Sequence, residues 1–119
     1  MENNNKFKCH GAVQATLTTL GGKWKTLIIW NLLDKTMRFN ELQKSLKTIS
    51  QKMLANELRS LEANGIVHRE VYRQVPPKVE YRITPYGNTL KPLLAVMAEW
   101  GYIHQRRKAK MAKAGKKIK

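Results

Sequence analysis

Leu54, Leu58 and Leu61 recur at i, i+4 and i+7, a spacing that predicts an amphipathic helix of about four turns, with Ser50 as its N-cap and Gly65, after Asn64, as its stop. Just before it, Phe39, Leu42 and Leu46 share one face and predict a shorter helix from about Phe39 to Leu46. After Gly65 the period changes to two. Val67, Val71, Val79, Tyr81 and Ile83 hold one parity across two short segments, the alternation of two strands with one buried face. Between them the run RQVPPK carries two consecutive prolines, which cannot donate to a ladder, so Gln74 to Lys78 is expected at the tip of a hairpin. Cross-strand charge favours the register in which Val71 faces Tyr81, Glu70 faces Arg82 and Arg73 faces Val79. A shift of two would set Glu70 against Glu80.

Upstream, Ala12 to Leu20 predicts a short helix with Val13, Leu17 and Leu20 inward, ended by Gly21-Gly22. Lys23 to Leu33 is apolar on nearly all sides through Trp24, Leu27, Ile28, Ile29, Trp30, Leu32 and Leu33, which predicts a buried central helix. Downstream, Thr84-Pro85 reads as an N-cap followed by a proline at the first helical position. The helix it opens carries Leu90, Leu93, Leu94, Met97 and Trp100 at helical spacing and continues to Ile103. One small domain has little core left to cover that stripe, so a second subunit is its expected cover; packing back on its own domain is the alternative. The order helix, turn, helix, hairpin builds a winged helix-turn-helix. The expected fold is thus mainly α with a small β-hairpin, its terminal helices forming a dimer interface.

The face of the Ser50 helix that turns away from the leucines carries Gln51, Lys52, Ala55, Asn56 and Arg59. Amides match adenine in the major groove, cations match guanine or phosphate, and a small residue lets the backbone approach closely. Any solvated helix face has a similar composition; the hairpin that follows is what favours the nucleic-acid reading. Its tip, with Arg73, Gln74 and Lys78, is the expected wing, lying on the neighbouring backbone or minor groove. Ser50 belongs to the same expected contact set.

The chain resembles the HxlR-type winged helix-turn-helix transcriptional regulators, relatives of the MarR group. The resemblance rests on Cys9, GGKWK at Gly21 to Lys25, RFNEL at Arg38 to Leu42, ISQKML at Ile49 to Leu54, LEANGIVHR at Leu61 to Arg69, VPPKVEYRIT at Val75 to Thr84, and Trp100. His10-Gly11 departs from it, since that family commonly has a proline after the cysteine. The resemblance implies a homodimer joined through its terminal helices, a pseudo-palindromic duplex DNA operator, a phosphate contact at Arg38, and in some members a sensor cysteine at the position of Cys9. It leaves the small-molecule effector unnamed.

Composition agrees. The chain has 119 residues and a net charge of +15; eight of its cations and no acid fall between Arg106 and Lys119, leaving seven positive charges for the rest. A basic body favours a polyanionic partner. The expected organisation is a flexible N-terminus over 1–8, a winged-helix domain over 9–105 and a basic tail over 106–119. Enzyme signatures are missing: His10, His68 and His104 lie far apart, no carboxylate pair or metal-ligand spacing occurs, and no phosphate-binding glycine loop is present, so no cofactor or metal is expected. The polar start MENNNKFK is no secretory signal. The apolar run Leu27 to Leu33 is too short to span a bilayer, so no membrane partner is expected. A lone cysteine excludes an internal disulfide and suits a reducing cytoplasm. Lys6, Lys8 and His10 surround Cys9, and cations beside a thiol favour the thiolate that reacts with oxidants and electrophiles; an inert thiol is the alternative. Two rival functions share the composition: a non-specific chromatin-like or RNA-binding winged-helix module, and a winged-helix subunit that binds only protein.

Overall fold

The computed structural model describes the backbone of residues 2–118 and the side chains of 9–115. It divides into two compact units, residues 1–88 and 89–119. The first holds α1 (Glu2–Leu20), α2 (Lys25–Leu32), β1 (Met37–Arg38), α3 (Phe39–Leu46), α4 (Gln51–Ala63), β2 (Val67–Tyr72) and β3 (Lys78–Ile83). The second is essentially α5 (Lys91–Ile118).

The two helices and the hairpin at the centre of the chain form where their periodicities place them. Leu42 of α3 and Leu54, Leu58 and Leu61 of α4 are buried, joined by Ile28, Ile29 and Leu32 of α2 and by Ile49, Ile66, Val67 and Tyr81. The Ser50 hydroxyl accepts from the Met53 N–H at 3.1 Å, satisfying one of the N–H groups a helix start leaves open. At the other end Gly65 takes φ +72, a conformation that side chains disfavour, and the Ile66 N–H donates to the Leu61 carbonyl at 3.0 Å. A Lys25–Glu57 ion pair at 3.2 Å and a Ser45–Asn31 hydrogen bond tie α4 and α3 to α2.

The sheet has three antiparallel strands in the order β1-β3-β2, one more than the alternation predicted. Its register corrects the expected one: Val71 pairs with Val79, Glu70 with Glu80 and His68 with Arg82. The like-charge pair is tolerated because compensation runs diagonally and along the strand. Arg82 lies 3.8 Å from Glu70, His68 3.3 Å from Glu70, and Lys78 3.4 Å from Glu80. The inner parity is buried at Val67 and Tyr81 but opens toward the tip, where Val71 is exposed.

Five expectations about the flanking helices change. The first helix begins at Glu2 rather than Ala12, and the side chains of 1–8, the expected flexible N-terminus, lie outside those described. Of its apolar set only Leu20 is buried, whereas Val13 and Leu17 are 57% and 65% exposed. Gly22, at φ +87, turns the chain out of α1. In α2, Leu27 and Trp30 are exposed, so the helix is half-buried rather than enclosed. The Thr84 hydroxyl does cap, accepting from the Gly87 N–H at 2.9 Å, but it opens a 3-10 turn over Gly87–Leu90 before α5 begins. Finally, α5 runs past Ile103 to Ile118, through the segment expected as a basic tail.

Candidate nucleic-acid interface

A tight connection places α4 against α3. The Thr48 N–H donates to the Leu46 carbonyl at 2.8 Å around Lys47, whose φ of 67° and ψ of −65° are those of a γ-turn, rare and strained for a residue with a side chain. With the leucines of α4 inward, Gln51, Lys52, Asn56 and Arg59 are exposed and Ala55 is half-buried. From Gln51 to Arg59 the helix rises about 12 Å, close to the width of a B-DNA major groove. The Arg59 guanidinium donates to Asn56 Oδ1 at 3.2 Å, which aligns the amide with the cation on one surface. Ser50 uses its oxygen as the cap acceptor and is itself exposed.

Arg38 stands exposed at the N-cap of α3, where its N–H donates to Glu41 Oε1 at 2.9 Å. At the hairpin tip Arg73 and Gln74 are exposed, and Val75 projects fully into solvent. Lys78 is different from its expected neighbours in the wing. It is half-buried, with Nζ 3.4 Å from the Glu80 carboxylate and 4.9 Å from the centre of the Tyr72 ring, so much of its charge is already engaged.

One cation near α4 was not anticipated. Arg69 sits on the inner parity of β2, opposite Tyr81, yet is exposed; with Ala55, Leu58, Arg59, Glu62 and Tyr81 it lines a cleft of about 360 Å³ between α4 and the sheet. Its signal in the sequence is an arginine at a position the strand period reserves for an apolar residue. Cys9 is exposed on α1. In the second unit, Leu94 is buried at 2%, whereas Leu93, Met97 and Trp100 are 38%, 47% and 63% exposed and Leu90 is half-buried. Val96, Tyr102 and Ile103 add to the exposed apolar set. Among the described residues no helix is long and apolar enough to cross a membrane, and no group of three or more His, Cys, Asp or Glu side chains is placed to hold a metal ion.

The family model described as HxlR-like helix-turn-helix matches residues 19–109, a span that takes in α2 to β3 and most of α5. The chain belongs to the HxlR-like family. This HxlR-like protein is 52% identical over 97 residues to the HTH-type transcriptional regulator YybR of Bacillus subtilis, covering 82% of this chain and 76% of YybR. Among solved structures it is similar to the redox regulator HypR in its reduced form, with 50% identity, a TM-score of 0.76, and coverage of 79% of this chain and 93% of that one. It is also similar to the reduced form of the regulator YodB of B. subtilis, with 40% identity, a TM-score of 0.67, and coverage of 73% and 85%. The HxlR-like chain is thus a helix-turn-helix transcriptional regulator with a winged-helix fold, and not an enzyme.

Proposed function

We propose that the protein acts as a homodimer that binds a pseudo-palindromic operator in duplex DNA, each subunit placing α4 in the major groove. Gln51, Lys52, Asn56 and Arg59 read base edges, and Ala55 allows the backbone close. Arg38 and Ser50 contact phosphate, and Arg73, Gln74 and, less strongly, Lys78 hold the wing on the neighbouring backbone or minor groove. The exposed apolar residues Leu93, Met97 and Trp100 of α5, and Val13 and Leu17 of α1, are the surfaces a second subunit covers. Cys9 gives the dimer a response to oxidants or electrophiles. With one cysteine per chain, the product is an intersubunit disulfide, a mixed disulfide or an adduct. The similarity to the redox regulator HypR supports this last part.

The observation that carries the reading is the exposed amide and cation face of α4, held outward by three buried leucines and fixed at its start by the Ser50 cap. Its test is selection of genomic fragments by the purified protein, followed by footprinting and by titration against random duplex of equal length. The expected result is one short symmetric footprint, with half-sites about one helical turn apart, and an affinity on the order of 10³-fold or more above random duplex. Equal affinity for both duplexes, as a non-specific coating protein would give, refutes it.

A further inference from the structure

The C-terminal part of α5 carries charge of one sign only. Eight cations and no acid lie between Arg106 and Lys119, and the last acid of α5 is Glu99. Arg106, Arg107, Lys108, Lys110 and Lys113 are all exposed. Of these, Arg106, Lys110 and Lys113 stand at i, i+4 and i+7, so they form one stripe along about 10 Å of helix, and the sequence repeats the spacing at Lys117. At about 1.5 Å of rise per residue, the helix from Arg106 to Ile118, with seven cations, carries roughly one positive charge per 2.8 Å, against roughly one negative charge per 1.7 Å of duplex DNA. The family match ends at residue 109, so Lys110, Lys113 and the cations after them belong to this chain rather than to the matched pattern. Between the cations stand Ala109, Met111, Ala112, Ala114, Gly115 and Ile118. Met111 and Ile118 are the two large apolar residues of the segment, which lacks the leucines and aromatics that a helix lying in a membrane surface buries.

We propose that this stripe is a second contact surface for duplex DNA, one that binds phosphates and reads no bases. The proposal rests on the DNA-binding reading above, and it adds sequence-independent affinity to the specificity of α4. Counterion release makes it measurable, because each phosphate neutralised contributes about 0.9 to the log-log salt slope.

The test uses the full chain with Arg106→Gln, Lys110→Gln and Lys113→Gln combined, titrated on random duplex and on the selected operator over a series of KCl concentrations. The salt slope is expected to fall in magnitude by about 3 per subunit bound, with affinity for both duplexes falling together and their ratio preserved. The charge-retaining combination Arg106→Lys, Lys110→Arg and Lys113→Arg is expected to keep the original slope. An unchanged slope and affinity in the neutralised variant overturn the proposal, as does a loss confined to the operator. If the unsubstituted protein shows no operator preference, the specific-regulator reading fails, while the slope difference on random duplex still decides the stripe.

Discussion

Ser50 is asked to do two things at once, cap α4 and meet a phosphate, and two substitutions separate them. In Ser50→Ala the Met53 N–H loses its acceptor at 3.1 Å. Loss of a serine N-cap costs about 1 kcal/mol within a range of roughly 0.5–2. Met53 is 43% exposed, so water partly replaces the oxygen and the lower half of that range applies. With an unfolding entropy of about 2.1 cal/mol/K per residue, a chain of 119 residues loses about 4 °C of Tm per kcal/mol, so a drop of about 2–4 °C is expected. Ser50→Asp keeps an acceptor in place and adds a favourable charge at the helix N-terminus, about 0.3–1 kcal/mol, so its Tm stays at or above that of the parent. It also sets a carboxylate where the DNA backbone is argued to lie, so binding to all duplexes weakens. Thermal melts by circular dichroism and anisotropy titrations on operator and random duplex measure the two effects. A Ser50→Ala variant that melts with the parent refutes the cap as an energetic contributor, and a Ser50→Asp variant that binds like the parent removes Ser50 from the DNA surface.

Asn56→Ala and Arg59→Ala are each expected to cost about 1–3 kcal/mol on operator and little on random duplex, whereas Arg73→Ala weakens both alike; equal losses for all three in anisotropy titrations would show that α4 reads no bases. Because Arg59 and Asn56 are hydrogen-bonded at 3.2 Å, their double variant is expected to lose less than the sum of the singles. Met97→Glu puts a charge on an exposed apolar stretch of α5 and is expected to convert dimer to monomer in sedimentation without lowering the helix signal; an unchanged dimer removes Met97 from the interface. Diamide is expected to lower operator affinity in the parent and leave Cys9→Ser unaffected, with an intersubunit disulfide or a mass adduct as the trace, and an equal response in both proteins eliminates Cys9 as the sensor.

What the sequence discloses is the part governed by local periodicity and by cap chemistry. Ser50, the three leucines of α4 and Gly65 define a helix whose bounds in the structure are Gln51–Ala63. The hairpin was legible to the level of its strands but not its register, because the pairwise rule for charges ignores diagonal partners, and Glu70 draws on His68 and Arg82 together. β1 is two residues long and leaves no alternation to detect. The turn at Lys47 lacks the glycine or asparagine that would announce a positive φ. The spacing of Val13 and Leu17 and the apolar character of Leu27 and Trp30 mark faces to be covered, but neither says whether the cover is the same chain or another. Arg69 is hidden in the sequence because the strand parity it occupies is otherwise apolar.

In mechanical terms α1 is a lever. Among its described side chains the buried one is Leu20, and Gly22 supplies a pivot just beyond that end, while Cys9 stands eleven positions before Leu20, about 16 Å along the helix axis. A swing of about 10° at the pivot carries the sulfur roughly 3 Å, and a push at the sulfur acts on the pivot with the same long arm. Between the two lie Val13 and Leu17, each more than half exposed. The buried side chains of α2, α3 and α4 belong to other elements than the exposed stretch of α1, so a displacement at Cys9 would meet whatever covers Val13 and Leu17 before it met that core.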